Sequence, residues 1–377
     1  MNKFFLLLIL SLLLSSCNKN NESRIHPNSE NIPNPGLENE HIINKKINDF
    51  PNLDFSSDQY SFTETLGDDR NIGFIKDVEV DKSGRIFVLD DRQQKVLVYS
   101  SDGDFLQTIG RRGPGPGELS YAKSIELYED SLLLISSRFR IEEYDISSDS
   151  ISFNRTVNFE KNIKSICTTN EVLYIHNSDI LDSGLMSSEM RKTNMLHEFT
   201  LPQYSYRLSF GESYISDSPV FVDRLTQGDI ICDPYNNVLV YISDRVNVLK
   251  GYSLSNGKQM WKSSIADLNF PKIEEIVTDG SPGLKIMPPE NDIFDNFLKP
   301  VLIMDGFILV QVDRREIVDR ESLESKSSIL SYLIDTKTGK GHYHSDELGR
   351  MLYFSENSII EVNESFTELE LKYKETR

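Results

Sequence analysis

The stretch KVLVYSSDGDFLQTIGRRGPGPGEL, residues 95–119, contains the two signals that decide the fold. Residues 95–110 alternate apolar and polar side chains around a Ser-Asp-Gly turn, which is typical of two short antiparallel strands. Residues 113–117 alternate glycine with proline. Proline lacks the N–H that a helix or sheet requires, and glycine has no side chain to pack. We therefore interpret residues 111–120 as a rigid corner that leads the chain from one sheet to the next.

The strand pattern recurs along the chain. FTETLG (62–67) and FLQTIG (105–110) share Phe, Thr, Leu or Ile, and Gly at matching positions. Further strand starts carry a lysine at the same point, at Lys76, Lys123, Lys164 and Lys299. Repeats of about 40 to 50 residues are typical of propellers or of linear arrays.

Each repeat offers about four strands, which make one blade of a β-propeller. A lone blade exposes both faces, so we expect the blades to pack around an axis and the ring to close. We predict an all-β β-propeller of six four-stranded blades, although five or seven blades remain open. Residues 351–374 and the early strand at 59–67 together form the sixth blade and close the ring. The other blades are predicted to start near Ile75, Ala122, Ile163, Phe221 and Leu298.

The repeat leaves two features of the body unexplained. Residues 272–298 are interpreted as an insertion, with a short helix at NDIFDNFL (291–298). Cys167 and Cys232 both lie in predicted strands, where free cysteine behaves as a small buried hydrophobe. We expect two buried free thiols. A disulfide between them remains the alternative, because an exported compartment would permit it.

The N-terminus has the features of an export signal. Lys3 precedes an apolar run at 4–14, which is shorter than the roughly 20 residues of a spanning helix. LSSC (14–17) resembles a bacterial lipobox, which implies that residues 1–16 are a signal peptide and that Cys17 is acylated, for example with palmitate. An ordinary signal peptide with a chance cysteine is the alternative. Residues 17–58, rich in Asn, Pro and Glu, are predicted to be the lipidated N-terminus and a flexible tether to a propeller at 59–377.

Residues 75–119 resemble an NHL-type propeller blade. Together with the lipobox, the chain resembles the six-bladed β-propeller lipoproteins of Gram-negative bacteria. The resemblance implies an exported protein anchored to the outer membrane, on its periplasmic or surface face, without established enzymatic activity. Beyond Cys17 it implies no functional residues.

Charge and motifs exclude several functions. The net charge of −19 disfavours binding to nucleic acid phosphates. The Gly/Pro run is not GxxxxGK[ST], so a phosphate loop is disfavoured, and no GxSxG, HExxH or CxxC occurs. His342 and His344 could begin a metal site, but we favour exposed polar strand positions, because the sequence fixes no Asp or Glu partner for them. Asp77, Glu79 and Asp90 do not stand out among 59 acidic residues, and we predict no cofactor.

Two functions remain. The first is a non-catalytic binding module that presents its channel mouth to a protein, peptide or glycan. Arg111, Arg112 and Glu118, beside the predicted corner, are its candidate ligand-binding residues. The second is a propeller hydrolase or lyase with a divalent metal in the central channel, which rests on analogy with other propellers.

Overall fold

The structure, a computed structural model, describes residues 24–25, 40–43, 60–66, 72–159, 162–178, 194–214, 218–278, 281–304, 306–319, 322, 324–345 and 348–374. The predicted signal peptide and Cys17 lie outside these described residues. Within the described part of the chain, the backbone forms 29 strands and a single helix, α1 (Pro219–Thr226). The first strands are β1 (Arg24–Ile25), β2 (Glu40–Ile43) and β3 (Tyr60–Leu66).

Six antiparallel sheets follow in chain order, and each is one blade. From the axis outward, blades 1 to 3 contain β4 (Ile75–Val80), β5 (Ile86–Asp90), β6 (Lys95–Tyr99) and β7 (Phe105–Ile109); β8 (Ser124–Tyr128), β9 (Leu132–Ser137), β10 (Arg140–Asp145) and β11 (Ser152–Asn158); and β12 (Asn162–Thr169), β13 (Val172–Ser178), β14 (Asn194–Thr200) and β15 (Ser205–Glu212).

The second half of the chain contains blades 4 to 6 and an insertion. Its strands are β16 (Gly228–Asp233), β17 (Val238–Ser243), β18 (Leu249–Ser253) and β19 (Gln259–Ile265) in blade 4; β20 (Lys272–Thr278) and β21 (Ser281–Met287) in the insertion; β22 (Ile293–Phe297), β23 (Val301–Met304), β24 (Phe307–Asp319), β25 (Glu324–Asp335) and β26 (Gly341–Ser345) in blade 5; and β27 (Arg350–Phe354), β28 (Ser358–Val362) and β29 (Leu369–Lys374) in blade 6.

The core lies between the blades. Every residue of β5 (IFVLD) and of β17 (VLVYIS) is buried, because a middle strand is covered on both faces by neighbouring sheets. The outer strand β7 instead alternates between exposed and covered positions. Six apolar clusters correspond to the six interfaces between adjacent blades, which is the burial that stacking blades around an axis was expected to provide.

The two ends of the propeller meet in blade 6. β29 pairs antiparallel with β3, with Leu369 opposite Leu66 and Tyr373 opposite Ser61. Leu66 and Leu369 are buried in the cluster between blades 6 and 1. The predicted six-bladed fold, closed by N- and C-terminal strands, is confirmed.

The glycine–proline run forms the corner between β7 and β8, the outermost strand of blade 1 and the innermost strand of blade 2. Gly117 adopts a φ of +70°, a conformation that favours glycine. At Gly113, a Cβ atom would lie 2.1 Å from Oε2 of Glu118. The corner therefore requires glycine at position 117 for its backbone conformation, whereas a side chain at position 113 would displace the Glu118 carboxylate.

The predicted helix at 291–298 is wrong, because these residues form β22. This strand pairs with the distal part of β24, from Ile293 opposite Glu316 to Phe297 opposite Val312. β24 is long enough to pair with β23 near the axis and with β22 farther along. The insertion itself is a hairpin of β20 and β21, to which β1 adds.

The predicted start of blade 4 near Phe221 is also wrong, because Phe221 lies in α1. Ser218 caps this helix, and its hydroxyl accepts a hydrogen bond of 3.3 Å from the Phe221 backbone N–H. Phe221 is buried in a cluster of its own with Leu225 and Ile273 of the insertion. Blade 4 begins at Gly228 instead.

Part of the predicted tether belongs to the body. β2 adds a fifth strand to blade 4 and runs parallel to β19, with Ile43 opposite Ile265. Ile43 is buried between blades 4 and 5, and the Lys262 ammonium lies 2.6 Å from Oε1 of Glu40. The prediction of a free tether over residues 17–58 is therefore wrong at residues 40–43, which belong to blade 4. Apart from β1, the other predicted tether positions lie outside the described residues.

Candidate functional site

The six innermost strands surround an axial cavity of about 240 Å³. All six blades contribute to its wall, which combines apolar side chains with a few ionisable ones. One residue from each blade illustrates this lining: Glu79, Glu126, Cys167, Ile231, Leu302 and Tyr353. A concave site with polar groups converging on an apolar wall is the usual form of a small-ligand site.

A buried charge group lies at the cavity wall. The Lys299 ammonium forms a short ion pair with Oδ1 of Asp77 and lies 3.8 Å from Oε1 of Glu79. Oδ2 of Asp77 accepts a hydrogen bond of 3.0 Å from the backbone N–H of Ile125, in the next blade. Glu126 completes the group, because its charge also acts on Lys299. Three carboxyl groups thus share one ammonium.

Burial and crowding change how this group titrates. Burial, partly opposed by hydrogen bonds from Thr168 and by Lys299, raises the pKa of Glu126 to about 7. Burial also raises the pKa of Glu79 well above its usual range, and the neighbouring Glu126 adds to the effect. Burial opposes the charged form of Lys299, but the surrounding carboxylates outweigh it and raise its pKa. Both glutamates therefore release their protons at a higher pH than free carboxyl groups do.

A second set of charges lies where the inner strands begin, at the end of the propeller that we call the loop face. The Lys164 ammonium lies 3.2 Å from Oδ1 of Asp223 in α1. Lys76 is near Asp229 and Asp244, which raise its pKa against the effect of burial. Burial, and then repulsion by Asp229, raise the pKa of Asp244 to about 7. Lys76 and Lys164, two of the recurring lysines, thus meet acidic groups at this end of the channel.

The predicted free thiols are wrong, because Cys167 and Cys232 form a disulfide with an S–S distance of 2.07 Å. They are separated by 65 residues but lie on β12 and β16, the inner strands of adjacent blades, with their Cα atoms 5.7 Å apart. The hydroxyl of Ser165 also accepts a hydrogen bond of 3.1 Å from the Ile230 N–H across this interface. Ring geometry, which the cysteine spacing does not encode, brings the thiols together.

The predicted ligand-binding residues lie in the corner on the loop face, and none of them lines the axial cavity. The Arg111 guanidinium lies 2.7 Å from Oε1 of Glu118. Oε2 of Glu118 also accepts a hydrogen bond of 2.9 Å from the Gly115 N–H. The Arg112 guanidinium donates to the backbone carbonyl of Arg92. Their role in ligand binding stays a prediction.

The weak metal candidates lie elsewhere. His342 and His344 are on β26, the outermost strand of blade 5, with their ring centroids 6.5 Å apart. Asp90 stabilises a turn, since its carboxylate accepts hydrogen bonds from the backbone N–H groups of Gly73 and Gln93. Across the described ranges, no group of three or more His, Cys, Asp or Glu side chains could hold a metal ion.

Sequence reasoning missed the charge group although it named two of its members. Asp77 and Glu79 do not stand out among the acidic residues of the sequence, because their partner is Lys299, 222 residues away from Asp77. The recurring lysine was the available signal, since it placed Lys299 at the predicted start of a blade. Within the described segments, no helix is long and apolar enough to span a membrane.

Comparisons with known proteins agree with this architecture. In the solved structures, a candidate exported protein of Bacteroides fragilis matches with a TM-score of 0.52 and 11% identity, covering 90% of this chain and 99% of that one. The WD40 repeats of RRP9 match with a TM-score of 0.50 and 11% identity, covering 84% and 100%. A DUF4221 family member of Bacteroides vulgatus matches with a TM-score of 0.49 and 9% identity, covering 85% and 99%. At these identities the first two likenesses concern the fold alone.

Sequence comparison identifies the family. No curated protein matches the chain. The family model DUF5128, described as a six-bladed β-propeller, matches residues 38–271, which is more than half of the sequence. The matched region begins just before β2, so it includes the strand that docks on blade 4. The chain therefore belongs to the DUF5128 family of six-bladed β-propellers.

Proposed function

We propose that this protein is an exported lipoprotein of a Gram-negative cell envelope whose NHL-like propeller is a non-catalytic binding module. Lipidated Cys17 anchors it to the outer membrane, and the propeller binds a protein, peptide or glycan. The charged residue Lys3, the apolar run at 4–14 and the LSSC sequence support export and lipidation. The sequence thus contains both parts of a lipoprotein export signal, which are an apolar signal peptide core and a cysteine directly after it.

The axial cavity is the observation that carries the binding role. Side chains from all six blades converge on it, and Glu79, Glu126 and Lys299 provide ionisable contacts beside its apolar side chains. Buried interfaces between the blades and the Cys167–Cys232 disulfide hold this wall in place. A preformed site costs little ordering entropy when a ligand binds.

The metal-dependent alternative has less support. Such an enzyme needs several converging protein ligands for its metal. The described residues bring no such set together, and His342 and His344 lie on an outer strand. We therefore favour binding over hydrolysis or elimination.

The anchor is tested by Cys17→Ala in the full chain. In a Gram-negative host, the wild-type protein should incorporate labelled palmitate and remain in the outer membrane fraction. The variant should lose the label completely, because no thiol remains to be acylated. The control is Cys232→Ser, which leaves the lipobox intact and should keep the label. Equal labelling of wild type and Cys17→Ala would contradict the proposal.

The binding role is tested by filling the cavity. Ile231→Trp places a larger side chain in the axial wall, and we expect it to abolish binding to those peptides or oligosaccharides that the wild type selects from immobilised arrays. Val318→Trp, at an exposed position of β24, should bind like the wild type. Circular dichroism checks that both variants fold, and Glu79→Gln with Glu126→Gln provides a second, nearly isosteric perturbation. Selected ligands that bind all variants equally would contradict a site at the axis.

A further inference from the structure

A surface on the loop face of blades 1 and 2 has a chemistry of its own. We call it the arginine–aromatic surface. Its members are exposed and come from the turn after β5, the corner between β7 and β8, and the turn between β9 and β10: Arg92, Arg111, Arg112, Tyr121, Arg138 and Phe139.

The backbone under this surface is held firmly. The guanidinium of Arg140 donates hydrogen bonds of 2.6 Å to the carbonyls of Pro114 and Glu118. The Tyr144 hydroxyl donates a hydrogen bond of 2.6 Å to the carbonyl of Gly117. Arg140 is itself neutralised, because its Nε lies 2.7 Å from the Glu142 carboxylate. The corner therefore presents its side chains from a fixed framework.

Two aromatic rings lie beside one guanidinium on this framework. Tyr121 is 62% exposed, and Phe139 is 38% exposed. The Arg138 guanidinium carbon lies 5.1 Å from the Phe139 ring centroid and 6.0 Å from that of Tyr121. Tyr121 has a φ of +59°, an uncommon conformation for a tyrosine. Large exposed rings next to arginine are typical of binding surfaces.

The charge of the surface is opposite to that of the chain. The protein has a net charge of −19, yet four arginines gather here. Arg111 pairs with Glu118. Among the residues that the structure describes, no carboxylate forms an ion pair with Arg92, Arg112 or Arg138. The surface is thus a local positive region that complements an anionic ligand.

We propose that the arginine–aromatic surface binds a carboxylated polysaccharide, a polymer of uronic acid sugars. A guanidinium can hold a carboxylate through two parallel hydrogen bonds, so Arg92, Arg112 and Arg138 recognise successive acid groups. The rings of Tyr121 and Phe139 offer flat faces on which the C–H face of a sugar ring packs.

The same features disfavour a folded protein as the partner. A stable protein interface buries about 800 Å² on each side around a largely apolar centre. Here two rings provide the exposed apolar area, and the rest of the surface is charged and spread over the loops of two blades. A repeating chain of ring and carboxylate needs no continuous apolar centre, because each sugar unit can contact a separate guanidinium or ring. The proposal does not depend on the axial cavity, so either one can fail without the other.

The test uses the full lipidated protein in detergent and measures its binding by isothermal titration calorimetry. The probes are polygalacturonate oligosaccharides, the same oligosaccharides with methyl-esterified carboxyl groups, and polyglutamate of equal charge. The variants are Arg112→Gln with Arg138→Gln, and Tyr121→Ala with Phe139→Ala. Tyr235→Ala is the matched control, because Tyr235 is exposed in the turn after β16, at the opposite end of the propeller.

We expect polygalacturonate to bind, and added salt to weaken it. Methyl esterification and the arginine variant should each weaken binding by about tenfold or more, since each removes charge-assisted hydrogen bonds. The aromatic variant should weaken binding of the polysaccharide, whereas Tyr235→Ala should not. Absence of polygalacturonate binding, equal binding of the esterified form, or equal binding of polyglutamate would each overturn the proposal. If the arginine variant or the aromatic variant binds polygalacturonate as tightly as the wild type does, the ligand binds elsewhere and the proposal is overturned as well.

Discussion

Replacing Cys167 by serine is expected to lower the free energy of unfolding by about 4 kcal/mol. The disulfide closes a loop with a sequence separation of 65, and opening it restores that freedom to the unfolded chain. It also joins the inner strands of blades 3 and 4 at the wall of the axial cavity. Denaturant unfolding, followed by tryptophan fluorescence and circular dichroism, measures the loss.

The matched comparison is the wild type under reducing conditions. Cys167→Ser, Cys232→Ser and the double variant should have similar stabilities, because each removes the same bond. With dithiothreitol in the unfolding buffer, their difference from the wild type should disappear. A Cys167→Ser protein as stable as the oxidised wild type would show that the two cysteines are not bonded.

Replacing Lys299 by methionine is expected to lower stability by about 3 kcal/mol. The Lys299 side chain is 22% exposed and lies among Asp77, Glu79 and Glu126, so its removal leaves the buried Asp77 carboxylate and its half-buried neighbours without their cation. Lys82→Met is the control, because the Lys82–Asp130 ion pair lies on the surface and should contribute little. Urea unfolding of the two variants beside the wild type measures both losses.

The loss at Lys299 should depend on pH in a defined direction. Raised pKa values at Glu79 and Glu126 mean that the folded state holds protons which the unfolded state has released. Their contribution to stability therefore falls as pH rises from about 4.5 through about 7. Lys299 lowers both pKa values, so its removal should extend this decline to higher pH and make the loss larger at about pH 8 than at about pH 5. A loss that does not change with pH would contradict the assigned charge group.

Much of the fold could be predicted because its signals are local and repeated. Alternation in residues 95–110 predicts a hairpin, and the glycine–proline run predicts a corner, whatever the rest of the chain does. The structure places both as expected in blade 1 and at its boundary with blade 2. The predicted helix at 291–298 failed because that segment is extended by pairing with β24, a partner that no local pattern identifies.

The candidate sites were less accessible to sequence reasoning. Arg111 and Arg112 were singled out by their position beside the corner, but Arg138 and Phe139 come from a different blade and carry no motif. β2 resembled a polar linker, since only Ile43 among its residues is buried and its partner β19 lies far along the chain.

The sequence by itself determined that the chain repeats, that each repeat is a four-stranded sheet, and that strands from both ends complete the last one. These features follow from short-range patterns of apolar, polar and turn-forming residues. Only the tertiary structure decided that Cys167 bonds to Cys232 and that Lys299 meets Asp77, Glu79 and Glu126. The closed ring brings the inner strands side by side around one axis. Lys299 and Asp77, 222 positions apart, meet only because the ring closes, and no single segment of the sequence encodes their contact.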